Sequence, residues 1–293
     1  MVFAVEDGDD VMTLPELMFD DPLNRLMFGW GLAIIVIAIS FVILLRNLAF
    51  HSPELRLRRK GLDSLLTGHP EVAEMYFRKA LVMRDPADRV RPLVCLGDAL
   101  MDQGRYLEAK DFLERALQLG DLTGSGQDSM ADLLLLTRTH PEKAIEMASE
   151  AVHLSTTKPE QDLYFGGGVY NDLKRAKYWA RTAQALAQLD RHAEAQQAID
   201  RALRIAEGAK VNAKRTRPRT SLAAKLVLGD RRLRNHRYLV MAATHWQIGL
   251  AFLAIDDKSR AADHFRITHD ADHRGKYRRL AQQRLDRIES PVS

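Results

Sequence analysis

The sequence predicts an all-α protein with one N-terminal transmembrane helix, a solenoid of about five to six helical hairpins, and a C-terminal capping helix. Three observations lead to this prediction. The alternation of polar and β-branched residues that marks strands is nearly absent from the 293 residues. One stretch near the N-terminus is apolar throughout. Elsewhere, small residues recur at intervals of roughly 35 residues, a period typical of stacked helix pairs.

The apolar stretch LMFGWGLAIIVIAISFVILL occupies residues 26–45, uncharged between Arg25 and Arg46. Twenty residues in a helix extend about 30 Å, the thickness of the hydrocarbon core of a bilayer. The preceding tail, residues 1–25, is acidic and therefore lacks the basic start of a signal peptide. We expect residues 26–45 to form a transmembrane helix.

The flanking charges predict the orientation of this helix. Arg25 alone precedes it, whereas several cations follow it closely: Arg46, Arg56, Arg58, Arg59 and Lys60. Because positive charge is retained in the cytoplasm, we expect the N-terminus outside the cell and the remainder in the cytoplasm, with the helix in the inner (cytoplasmic) membrane. The single cysteine, Cys95, fits a reducing compartment. Residues 46–53 form a short linker.

The interval of small residues is clearest between two neighbouring segments. Small and large residues recur 36 positions apart, as Gly68, Ala73, Phe77 and Ala80 and then as Gly104, Ala109, Leu113 and Ala116. Further copies follow, marked by Ala144, Ala148 and Ala151, by Ala183, Ala195 and Ala202, and by Gly249, Ala261 and Phe265. Five copies in register predict a repeat protein.

Each copy resembles a tetratricopeptide repeat, an antiparallel pair of helices with small residues at fixed positions. Gly97, Tyr106, Ala109 and Ala116 fit that pattern, and Leu93 takes the place often held by tryptophan. The resemblance covers residues 54–275 and implies that small side chains allow close helix contacts while bulky ones fill the remaining space. Pro70 and Pro141 are expected to open second helices.

Two spacings exceed the period of the repeat and predict inserts near residues 155–172 and 207–237. The first contains FGGGVY, which we interpret as the tip of an insert. The final segment, residues 276–293, reads as a polar capping helix and tail.

The second insert is strongly basic. It carries ten Lys or Arg residues, opposed only by Glu207 and Asp230. Candidate partners are anionic lipid, an acidic protein surface, or nucleic acid; the last is disfavoured because aromatic residues for base stacking are absent. The residues predicted to make these contacts are Lys210, Lys214, Arg215, Arg217, Arg219, Arg231, Arg232 and Arg234.

No motif for catalysis is recognised. Nucleotide-binding loops, nucleophile elbows and paired cysteines are all missing from the sequence. His269 and His273 have the spacing of a metal-binding pair, but the stretch supplies no third ligand on the same face. We therefore predict no cofactor, no metal and no enzymatic activity.

The resemblance implies a scaffold or adaptor that binds proteins, with subunits of a membrane complex as the expected partners and support of its assembly as the expected role. The alternative is a permanent accessory subunit of a large membrane complex, with the basic insert contacting acidic subunits or lipid. In either case the family's concave face, formed by first helices, is the expected binding surface. Its residues are Arg58, Leu62, Arg91, Val94, Asp98, Met101, Lys177, Ala180, Gln184, Trp246 and Leu250.

Overall fold

The structure is a computed structural model that describes residues 30–31, 33–42, 53–83, 89–121, 123–157, 167–215, 230–272 and 275–290. The chain divides into two compact units, Met1–Ser52 and Pro53–Ser293. In the first unit residues 30–31 and 33–42 are helical, and all of them are exposed. The rest of the predicted span at 26–45 and the 1–25 tail lie outside the described residues. Across the described ranges, no helix combines the length and apolar character needed to cross a bilayer.

The second unit confirms the predicted all-α class, because its described residues form eleven helices and no strand. Their bounds are α1 Pro53–Thr67, α2 Pro70–Val82, α3 Val90–Asp102, α4 Tyr106–Gln118, α5 Ser125–Thr137, α6 Pro141–Thr157, α7 Gly167–Gln188, α8 His192–Arg215, α9 Asp230–Ala254, α10 Lys258–Ala271 and α11 Lys276–Glu289.

The helices pair as five successive hairpins, α1 with α2 through α9 with α10, which are numbered repeats 1 to 5 in chain order. The first helices of neighbouring hairpins also touch, as α3 does with α5 and α7 does with α9. Stacking in this manner buries a continuous apolar core between repeats, which a single hairpin cannot do alone. The predicted starts of α2 at Pro70 and of α6 at Pro141 are confirmed.

The turn inside four of the five hairpins has a left-handed backbone at one fixed position. Repeats 1 and 2 place Gly68 and Gly104 there, with φ of 81° and 76°. Repeats 4 and 5 place Asp190 and Asp256 there, with φ of 58° and 61°. Glycine adopts this conformation without penalty, and aspartate is among the other residues that tolerate it best.

The glycines within the first helices allow close contact with the second helices. A Cβ atom at Gly97 would lie 2.7 Å from the Leu113 side chain, and one at Gly249 would lie 2.7 Å from the Phe265 ring. Repeat 1 shows the same relation between Gly61 and Phe77, at 2.6 Å. The repeated glycine is therefore the position where a large side chain from the second helix fills the gap.

The helices extend into both predicted inserts. Residues 155–157 belong to α6 and residues 167–172 to α7, while 158–166 lie outside the described residues. Helices α8 and α9 contain residues 207–215 and 230–237, and 216–229 lie outside the described residues. The interpretation of FGGGVY as an insert tip is corrected, because α7 begins at Gly167. The first turn of a helix tolerates glycine, since its N–H groups have no partner within the helix in any case.

The last helix does more than cap the end of the stack. Ala281 and Leu285 of α11 are buried against repeats 4 and 5. The same helix also contacts α1, where Arg279 Nη2 donates a hydrogen bond to the Thr67 carbonyl oxygen at 3.1 Å. The C-terminal helix of this unit therefore contacts the first helices α1, α3 and α9. The face of the stack that α11 crosses is called the groove below.

The close contact at Gly97 predicts opposite effects for two Gly→Ala substitutions. Gly97→Ala forces Leu113 to move, and overpacking of this kind costs about 1–3 kcal/mol. Gly208→Ala in α8 meets no atom within 4 Å, so the gain in helix propensity should stabilise the protein by up to about 1 kcal/mol. Urea unfolding of both variants measures the two changes; a Gly97→Ala protein as stable as wild type would contradict the packing described above.

Candidate interaction groove

The structure distributes the eleven predicted concave-face residues over three environments. Four are buried in helix contacts: Val94, Met101, Ala180 and Trp246. Five are half-buried: Arg58, Asp98, Lys177, Gln184 and Leu250. Leu62 and Arg91 are exposed. Trp246, for example, packs on the Phe265 ring with centroids 5.2 Å apart, so it belongs to the core of repeat 5. Asp98 and Lys177, by contrast, lie beside the cluster of charged side chains described next.

A buried cluster of ion pairs joins repeat 3 to repeat 4. Arg181 Nε lies 3.0 Å from Asp128 Oδ1, and Arg181 Nη2 lies 3.0 Å from Asp132 Oδ2. Lys177 Nζ lies 2.5 Å from Asp128 Oδ2. Arg181 Nη1 also donates to the Asp128 carbonyl oxygen at 2.5 Å. Only 5% of Arg181 and 5% of Asp128 is exposed, so these charges interact away from bulk water.

Repeats 1, 2 and 4 carry only apolar or small residues at the positions of these two aspartates: Leu57, Leu93 and Trp179 at the first, and Gly61, Gly97 and Ala183 at the second. Asp128 lies 35 residues after Leu93, and Asp132 lies 35 residues after Gly97. The second helix of repeat 3 has Ala148 where repeat 2 has Leu113. A small residue in α6 thus leaves room for the larger Asp132 side chain in α5, which turns to Arg181 of the next repeat.

Sequence reasoning predicted Lys177 but missed Asp128, Asp132 and Arg181. The signal that could have found them is the departure of repeat 3 from the pattern of small residues in its first helix. Charged residues at packing positions are costly to bury, so their presence there indicates a specific partner.

Two further carboxylates extend the cluster into repeat 2. Burial raises the pKa of Asp98 to about 6, against the opposing effects of a hydrogen bond with Ser129 and the charges of Lys276 and Lys177. Asp102 forms an ion pair with Lys276 at the start of α11. Burial lowers the pKa of Lys276, but Tyr277 and Asp102 outweigh it, so that pKa is raised overall. Three repeats and the last helix thus contribute to one charged groove.

Burial also acts on Asp132. It raises the pKa of that carboxyl group, and the neighbouring Arg181 charge opposes the effect only in part.

A hydrogen bond between two glutamines links repeat 4 to repeat 5: Gln184 Nε2 donates to Gln247 Oε1 at 2.9 Å. No group of three or more metal-ligating side chains occurs among the described residues. The groove is therefore lined by carboxylates, cations and amide groups that pair with one another.

The predicted basic residues are only partly described. Lys210 is exposed on α8. Lys214 and Arg215 end the same helix, and Arg231, Arg232 and Arg234 lie in the first turns of α9. Arg217 and Arg219 lie outside the described residues. The structure therefore places six of these eight cations on the two helices that border residues 216–229.

A family model supports the assignment of two of the repeats. The family model for the tetratricopeptide repeat matches residues 93–119 and 176–208, which belong to repeats 2 and 4. A tetratricopeptide repeat protein from Parabacteroides merdae, known from a crystal structure, is 17% identical; the alignment covers 81% of this chain and 99% of that one, with a TM-score of 0.31. No curated protein matches the sequence.

The buried cluster predicts a large effect for the loss of its central cation. Arg181→Leu leaves Asp128 and Asp132 without their main partner in a poorly solvated site, a change that typically costs about 3–5 kcal/mol. The matched control is Arg191→Leu, which breaks an exposed pair with Glu194 whose atoms lie 2.6 Å apart and should leave stability unchanged. Equal urea midpoints for the two variants would show that the cluster contributes no stability.

Asp98 predicts a stability that falls as pH rises. Its pKa is about 6 in the folded protein and 3.8 in the unfolded reference, so the folded state holds the proton more strongly and loses this advantage as pH passes through 6. Asp98→Asn removes the cost of the buried charge. At pH 7 it should stabilise the protein by up to about 3 kcal/mol, and the gain should shrink towards pH 4. A difference from wild type that does not vary with pH in urea unfolding would refute this account.

Proposed function

We propose that this protein is a non-catalytic tetratricopeptide scaffold that binds protein partners through its groove and supports the assembly of a membrane complex. The observation that carries this proposal is the charged cluster in which Arg181 and Asp128 are buried and the Asp132 side chain remains 26% exposed. Buried charge weakens a fold unless it is fully paired, so charges placed at packing positions of one repeat favour recognition as their purpose. Helical repeats present such concave surfaces to proteins rather than to small substrates.

We further propose that the apolar segment 26–45 anchors the scaffold in the membrane. The described part of this segment exposes large apolar side chains on all sides: Trp30, Ile34, Ile35, Val36, Ile37, Ile39, Phe41 and Val42. Exposed apolar surface of this size is unfavourable in water and favours contact with lipid or another protein. The cations after Arg46 favour a cytoplasmic groove, with the N-terminus outside.

The alternative remains a permanent accessory subunit, for which the basic segment 207–237 provides the specific observation. Lys210 is exposed, Lys214 and Arg215 end α8, and further cations follow in the sequence. Such a segment is complementary to acidic subunits or to anionic lipid, where each Lys or Arg near the surface contributes about 1 kcal/mol. Its contacts would not need the groove.

One co-purification experiment separates these functions. Tagged full-length protein is extracted from membranes in mild detergent, and the co-purifying chains are identified for wild type and for Asp98→Asn/Asp102→Asn. The scaffold proposal expects the groove variant to lose its partners while remaining in the membrane fraction. The matched control, Asp111→Asn/Glu150→Gln, removes two exposed carboxylates from the second helices α4 and α6 and should retain every partner.

A second variant tests the alternative in the same experiment. It replaces Arg215, Arg217, Arg219, Arg231, Arg232 and Arg234 with glutamine. Loss of stoichiometric partners in this variant, together with their full retention in the groove variant, would refute the groove as the binding surface and establish the accessory-subunit function. Deletion of residues 26–45 should release the protein from carbonate-washed membranes; continued retention would contradict the anchor.

A further inference from the structure

The two principal interactions between α11 and the first two repeats are both polar. Lys276 Nζ pairs with the carboxylate of Asp102, and Arg279 Nη2 donates to the Thr67 carbonyl oxygen at 3.1 Å. The Lys276 side chain is 18% exposed and that of Asp102 31% exposed, so water reaches both partners. Among the described residues, neither apolar cluster joins α11 to repeats 1 and 2, so no buried apolar surface opposes the separation of this contact.

The opposite side of α11 is held much more firmly. Ala281 and Leu285 are buried in the apolar cluster of repeats 4 and 5. The second cluster, formed by described residues of repeats 1 to 3 together with Ala185 of α7, has no α11 member. Asp272, only 1% exposed, accepts hydrogen bonds from the backbone N–H groups of Gly275 and Arg278 at 3.1 and 3.0 Å. Helix α11 therefore stays with repeat 5 when the polar contact opens.

We propose that α11 is a built-in occupant of the groove: Lys276 pairs with Asp102 of repeat 2 until a partner segment presenting a lysine replaces it. This inference rests on the proposed function, because it assigns the chemistry of the groove's partner. The solenoid opens by moving α1–α4 away from α11, which breaks the pair with Asp102 and the hydrogen bond with Thr67. The partner's ammonium group then takes the position of Lys276 Nζ.

The groove's charges select the sign of that partner. Asp98, Asp102, Asp128 and Asp132 provide four carboxylates, whereas Lys177 and Arg181 provide two cations that pair with Asp128 and Asp132. The carboxylates of repeat 2 remain for an incoming cation, and Lys276 now supplies it.

Opening is measured by energy transfer between two dyes in the full-length protein in detergent. The dyes are attached at Glu71→Cys on α2 and Gln283→Cys on α11, in a Cys95→Ala background. Lys276→Glu should increase the distance between the dyes, and adding Asp102→Lys should restore the wild-type distance because the pair is re-formed with reversed charges. Lys258→Glu, on an exposed lysine paired with Asp256, is the control and should change nothing. An unchanged distance in Lys276→Glu would overturn the proposal.

Partner chemistry is tested with a fluorescent peptide of residues 275–284, GKYRRLAQQR. It should bind Lys276→Glu at least about tenfold more tightly than wild type, as expected when one charge-assisted contact becomes available. A peptide with glutamate in place of its lysine should not bind, and Asp98→Asn/Asp102→Asn in the same background should lose the affinity. Equal binding of both peptides would overturn the proposal.

The two tests fail separately from the proposed function. An unchanged dye distance combined with loss of co-purifying partners in Asp98→Asn/Asp102→Asn would leave the groove as a binding surface without a built-in occupant. Retention of all partners in that variant would instead refute the groove itself.

Discussion

The whole solenoid depends on one packing constraint: at a fixed position, the first helix of each repeat must be small where the second helix is large. Gly97 against Leu113 and Gly249 against Phe265 satisfy it, with the side chains too close for any Cβ atom. The constraint sets the distance between helices, and hence the stacking that aligns the first helices along one groove. Repeat 3 satisfies it in the reverse sense, with Asp132 opposite Ala148 in register.

The exchange of small and large residues in repeat 3 makes room for the charged side chains of the groove. Once the second helix of repeat 3 is small, its first helix can carry Asp128 and Asp132, which pair with Arg181 of the next repeat. The ionised form of Asp98 is disfavoured by burial, as its raised pKa shows, yet the groove retains it beside Lys276. A fold that accepts destabilising charge at one place typically uses that place for binding.

The sequence pattern was sufficient to predict the helices, but it did not predict the contacts that form the groove. The recurring small residues predicted the hairpins, and the prolines at 70 and 141 predicted where α2 and α6 begin. The pair between Lys276 and Asp102 was not predictable, because it joins residues 174 positions apart through the curvature of five repeats. Val94, Met101, Ala180 and Trp246 were predicted as binding residues from position alone. Their burial depends on neighbouring helices that the pattern does not specify.

The central claim is that the charged residues at the packing positions of repeat 3 serve partner recognition, and that folding does not require them. The most direct measurement is the free energy of unfolding of a variant that restores the rule, Asp132→Gly/Ala148→Leu/Arg181→Leu, in which Asp128 keeps Lys177. Replacing buried ion pairs by well-packed apolar groups is often neutral or stabilising by about 1–4 kcal/mol. We therefore predict a variant at least as stable as wild type; a loss of stability as large as that of Arg181→Leu alone would contradict the claim.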